Sequence, residues 1–119
     1  MVKSKKPKKS SKSKSNLVQI VLKPADALRI VRRLAQDSNA VFITDHASKR
    51  MVKRKVSRVQ VIDCLLKGAI TEGPALDIKG SWVFTISRAV CGESINAVVA
   101  LDMDADKSEF VIVVTVIRD

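Results

Sequence analysis

Between Asp45 and Arg58 the chain gathers His46, Lys49, Arg50, Lys53, Arg54, Lys55 and Arg58 against a single acid, Asp45. Set on a helix, His46, Arg50 and Arg54 stand four residues apart. Each such step turns only ~40° about the axis, so the three share one face, with Lys53 on its flank. An imidazole beside fixed cations suits a phosphodiester. Arginine grips phosphate oxygens through two parallel N–H bonds and keeps its charge. Histidine can move the proton of a nucleophile or a leaving group near neutral pH. Cleavage of RNA through its own 2′-OH needs a base, an acid and positive charge on the transition state, and no metal. The same groups without proton transfer would simply hold nucleic acid. A basic helix face is most often only solvated, so spacing alone ranks binding above catalysis.

Other residues that could do chemistry are scattered. Ser87, Arg88, Thr115 and Arg118 are polar positions on, or ending, apolar strands. Glu72 or Asp77 could supply a carboxylate. Asp102, Asp104 and Asp106 alternate like calcium ligands but lack the glycine and distal glutamate of a calcium loop, so they read as turn residues. With one histidine and two cysteines, no metal site is expected, and no cofactor. Four glycines build no phosphate-cradling loop. Aromatic residues are 3% of the chain, with no tyrosine, which argues against modules that stack bases.

The elements that must position these groups follow from periodicity. Pro24 suits a first helical turn, and Ala27, Leu28, Ile30, Val31, Leu34 and Ala35 recur at helical spacing up to Asp37. Ala40 to Thr44 is a short extended run. Thr44 or Asp45 caps a second helix reaching about Lys55. Ser57 caps a third, with Val59, Val61, Ile62, Leu65 and Leu66 as its buried stripe and Gly68 closing it. Beyond Gly68 the period becomes two. Trp82, Phe84 and Ile86 share one face of a strand, and Cys91-Gly92-Glu93 turns the chain. Ile95 to Leu101 and Phe110 to Ile117 are further strands, and Ala69 to Glu72 is a short fourth. The near-continuous apolar run at Phe110 to Ile117 predicts a central strand covered on both faces. The expected fold is α+β, with N-terminal helices on one face of a three- to four-stranded antiparallel sheet.

The chain has 119 residues, enough for one domain, placed at residues 17–119. Residues 1–16 hold seven lysines and no acid, and account for seven of the net +10 charges. Such a lysine- and serine-rich stretch has nothing to bury and is expected to be disordered. It reads as an electrostatic arm for a polyanion through Lys5, Lys6, Lys8 and Lys9, or as a solubilising tail. No apolar run is long enough to span a bilayer and no signal peptide is visible, so a cytoplasmic protein is expected. Cys64 and Cys91 sit in apolar surroundings and read as buried free thiols.

The stretch Ile43 to Ser57 resembles a bacterial family of small domains of unknown function with the pattern T-x-H-A-x-x-R-M-x-x-R-x-V/I-S. Thr44, His46, Ala47, Arg50, Met51, Arg54, Val56 and Ser57 match it. L-L-K-G-A-I-T-E-G-P at Leu65 to Pro74, V-V-A-L-D, and the closing V-T-V-I-R continue the likeness. The resemblance implies a fold similar to RelE and the barnase–EndoU–colicin group of metal-independent ribonucleases, many of them toxins. It makes His46 the acid/base, puts Arg50 and Arg54 on phosphate, and completes the site with Thr115 and Arg118. Lys49, Lys53, Lys55 and Arg58 would add nucleic-acid contacts. The partners it implies are RNA, free or on the ribosome, and an antitoxin protein. Many relatives carry an aromatic residue, often tyrosine, before the final arginine; here it is Ile117. That departure leaves room for the alternative of a nucleic-acid-binding protein that does not cut.

Overall fold

The computed structural model describes residues 21–118. The lysine-rich segment, including Lys5, Lys6, Lys8 and Lys9, lies outside the described residues.

Helix α1 (Pro24–Ala35) begins on Pro24 and buries Ala27, Ile30, Val31, Leu34 and Ala35. A 3₁₀ turn at Ser38–Ala40 leads into β1 (Val41–Ile43). Helix α2 (Asp45–Arg54) follows at once. Its cap is Thr44, whose hydroxyl accepts from Ala47 N at 3.1 Å. It ends on Lys55 in the left-handed region (φ 59°). Helix α3 (Arg58–Lys67) opens on a full capping box between Ser57 and Gln60. Strands β2 (Ala69–Leu76), β3 (Trp82–Val90), β4 (Glu93–Leu101) and β5 (Val111–Arg118) complete the chain.

These strands form one five-stranded mixed sheet in the order β1-β5-β4-β3-β2. The expectation of a three- to four-stranded antiparallel sheet is corrected at β1. It pairs parallel to β5, with Val41 opposite Val111 and Ile43 opposite Val113. Three residues are too few to reveal a strand by periodicity. Nor are the helices all N-terminal to the sheet, since α2 and α3 come after β1.

All the large core side chains lie on one face. Trp82, Phe84 and Ile86 of β3, Ala97 and Val99 of β4, and Val111, Val113 and Val116 of β5 meet α1 and the Val61, Cys64 and Leu65 stripe of α3. Among the described residues, no helix lies on the opposite face. The apolar run of β5 is therefore not covered on both sides as expected. Val113 pairs with Val99 and Thr115 with Val98, so Val114 is a bulge residue, and both Val114 and Ile117 are exposed. Val59, expected in the α3 stripe, is 76% exposed. The far edge strand β2 is blunted by two register shifts and by Pro74, which discourages pairing with another chain.

The cysteines divide. Cys91 is exposed and takes φ 54° in the two-residue turn between β3 and β4. Cys64 is buried, its Sγ 3.3 Å from the Ile86 carbonyl, and burial pushes its thiol up from an ordinary 9.0 to about 11. The folded state thus keeps a proton that the unfolded chain releases. Stability should be level below about pH 9 and fall by about 2–3 kcal/mol as the pH rises to 11. Iodoacetamide at pH 8 should modify Cys91 and spare Cys64. Equal labelling of both thiols in the folded protein would contradict this packing.

Candidate nucleic-acid interface

Helix α2 takes the place of a longer β1. Thr44 N donates to Val113 O at 3.2 Å and Thr44 Oγ1 donates to Val114 O at 3.2 Å. The helix then runs alongside the second half of β5. At its other end Arg118 Nη1 donates to the carbonyls of Arg54 (3.3 Å) and Lys55 (2.9 Å). Strand and helix therefore point the same way. Ala47 and Met51 fasten α2 to the core.

Chirality decides which side of α2 the cations occupy. Val113 points into the core, and its carbonyl is directed at α2. For an L-residue this sets α2 to the right of an upward β5 viewed from the helix layer. In a right-handed helix running upward there, residues on the Arg50 and Arg54 side of the Ala47–Met51 stripe lie toward the bare face of the sheet. The row His46, Arg50 and Arg54 thus borders that face. His46 is exposed, and Arg50 and Arg54 are half-buried. The Nε of Arg54 is closed off from solvent with no hydrogen-bond partner among the described residues. Lys49, Lys53 and Lys55 are exposed.

Thr115 pairs with Val98 and shares the bare face, so the structure puts it on the same side as the row. Arg118 is not brought there. It pairs with Ile95 on the opposite face, binds Glu93, and caps the end of α2. Arg58 is also occupied: its guanidinium donates to Ser38 O and Val41 O, tying α3 to the start of β1. Replacing Arg118 by methionine should cost about 1–2 kcal/mol through loss of charge-assisted bonds. Melting curves of R118M and E93Q would check it: a melting temperature unchanged in R118M would deny the capping role.

Of the remaining polar candidates, Ser87 and Glu72 lie on the bare face, on β3 and β2, while Arg88 is on the helix side and Asp77 is in the β2–β3 connection. Thr71 Oγ1 and Ser87 Oγ are 3.2 Å apart, Ser87 hydrogen-bonds Asn96, and Thr85 Oγ1 donates to Glu72 Oε1 at 3.5 Å. Thr71, Glu72, Thr85, Asn96, Val98 and Ile117 shape a shallow depression of about 380 Å³. Glu72 lies on β2, three strands from β5. At ~4.8 Å per strand that is on the order of 14 Å, too far for Glu72 to share one phosphate with His46. A second cleft, of about 430 Å³, opens on the helix side between α3 and the β3–β4 turn. Ion pairing of Asp63 with Arg88 (3.1 Å) spans it.

Two exposed aromatics at the β1 edge of the sheet were passed over by composition alone. Phe42 pairs with Ile112 and is 57% exposed, and Phe110, two residues before Ile112, is 48% exposed. The signal was in the sequence: Phe42 alternates with core residues Val41 and Ile43, immediately ahead of the cationic helix. No group of residues able to hold a metal ion occurs among the described residues, nor any helix long and apolar enough to cross a membrane.

Fold and site define a small α+β domain that sets a cationic helix beside a face of a mixed sheet left uncovered by the described residues. Residues 43–118 match the family described as Domain of unknown function (DUF4258), more than half of the chain, and the chain belongs to that family. Neither the curated proteins nor the solved structures contain a significant match.

Proposed function

We propose that the protein binds RNA across α2 and the bare sheet face, and cleaves it without a metal through the RNA's own 2′-OH. The observation that carries this reading is the row His46, Arg50 and Arg54, set on the flank of α2 that borders the uncovered face. In the reaction O2′ attacks phosphorus and the P–O5′ bond breaks. His46 takes the proton of the 2′-OH and returns it to the departing O5′. Arg50 and Arg54 neutralise the charge that builds on the non-bridging oxygens. The products are a 2′,3′-cyclic phosphate and a 5′-hydroxyl. The RelE-like toxin class, with an antitoxin partner and a ribosomal target, is the biological setting that the sequence resemblance adds.

The test is incubation of a long RNA in EDTA with wild type and His46→Ala in parallel. Cutting by wild type alone, leaving cyclic phosphate ends, supports the reading. Equal cutting by both removes His46 from the mechanism. Salt-sensitive binding with no cutting would establish the non-catalytic alternative, in which the same face only holds nucleic acid.

A further inference from the structure

We infer that Phe42 and Phe110 form a stacking platform for unpaired bases, which makes single-stranded RNA the substrate class; the inference rests on the RNA reading above. The chain has four aromatic residues. Trp82 and Phe84 are in the core, while Phe42 and Phe110 are exposed. The exposed two are not scattered. Phe42 pairs with Ile112 on the bare face, and Phe110 immediately precedes β5, next to Val111, the partner of Val41. Adjacent strands run ~4.8 Å apart, so the two side chains start close enough for their rings to meet. Ala100, opposite Ile112, and Val83, opposite Ala100, continue an apolar floor away from them across the sheet.

Charge selects the occupant. Phe42 is two residues ahead of the cap of α2, and the nearby helix presents Lys49, Arg50, Lys53 and Arg54 against Asp45 alone. A ligand lying over both must be flat and apolar at one end and anionic along its length. Unpaired nucleotides have this character, because every base has a π-face and every linkage a negative charge. Along β1 and α2 the rise from Phe42 to Arg50 is on the order of 15 Å, from ~3.3 Å per strand residue and 1.5 Å per helix residue. That is about four stacked nucleotides at ~3.4 Å each. In a duplex the bases already stack on one another and offer no free π-face to Phe42.

The test is binding of a fluorescein-labelled 2′-O-methyl oligoadenylate 10-mer, which lacks the attacking hydroxyl and cannot be cut. Wild type is compared with Phe42→Ala, Phe42→Leu, Phe42→Trp and Phe110→Ala, each checked for an unchanged melting temperature. Phe42→Ala should weaken binding about 5- to 150-fold, the range for one stacked base. Phe42→Leu should lose most of the same affinity, and Phe42→Trp should retain it. An abasic 10-mer of the same charge and a 10-base-pair RNA duplex should bind equally well to wild type and Phe42→Ala. Equal loss for the abasic strand, or full affinity in Phe42→Leu, would overturn stacking while leaving the RNA reading intact. A wild-type dimer that Phe42→Ala dissociates without loss of RNA affinity would assign the platform to self-association. Wild type that binds none of the three probes would sink the RNA reading itself, and stacking with it.

Discussion

Arg50→Ala is expected to slow RNA cleavage by about 10²- to 10³-fold, the usual loss when one fixed donor to transition-state charge is removed. Arg50 is half-buried on the flank of α2, and Ala47 and Met51 anchor that helix without it. Its truncation should therefore cost less than about 1 kcal/mol of stability, as for most substitutions away from the core. The two effects separate cleanly: a large loss of rate with little change in melting temperature. Arg50→Lys keeps the charge but loses the planar fork, so it should recover only part of the rate. Single-turnover cleavage at saturating protein reads the chemical step apart from binding. A normal single-turnover rate in Arg50→Ala would move Arg50 from the chemistry to simple charge attraction. Its affinity would then fall less steeply with salt than the wild-type affinity does.

The cation row was legible because helical spacing is a local property. Thr44 as cap, the four-residue steps of His46, Arg50 and Arg54, and the Ser57 capping box are all written within a few residues of one another. Neighbours across the sheet are not written that way. Arg118 resembled a site residue because it closes the last strand. Its place is set by parity across the Val114 bulge, which turns Arg118 to the helix face and Thr115 to the bare one. The apolar run of β5 suggested two covered faces because hydrophobicity marks burial without saying which layer provides it. The parallel pairing of β1 joins Val41 to Val111, seventy residues away, and no local pattern reports such a contact. The exposed phenylalanines were missed for the same reason. Their meaning depends on the other face of the sheet, which carries no helix among the described residues.

Gly68→Ala should be the most damaging small change in the fold. Gly68 has φ −78°, so its backbone asks nothing special of glycine. Space does. An added Cβ would lie 2.6 Å from Cys64 O, 2.7 Å from Ser87 O and 2.7 Å from Ile86 Cγ2. Two of these are backbone oxygens, one in the last turn of α3 and one in β3, and neither can swing aside as a side chain would. Gly68 O also accepts from Arg32 Nη2 at 2.9 Å, so α1 is fixed at the same point. Relief of the clash must push α3 off the sheet and loosen that bond as well. The expected cost is about 3 kcal/mol, the upper end for overpacking. At about 4–8 °C per kcal/mol, the melting temperature should fall by roughly 12–24 °C. Gly92→Ala is the matched control. Nothing lies within 4 Å of its added Cβ, but Gly92 has φ 81°, so only left-handed strain of about 1–2 kcal/mol applies. The order of the two melting temperatures is the test. If Gly92→Ala melts below Gly68→Ala, the tight junction of α1, α3 and β3 is wrong. Gly68 lies at the β2 side of the sheet, away from α2, so Gly68→Ala held well below its melting temperature should cut RNA at the wild-type rate per folded molecule. Loss of cutting in the folded variant would show that the α3 junction also sets the position of the cation row.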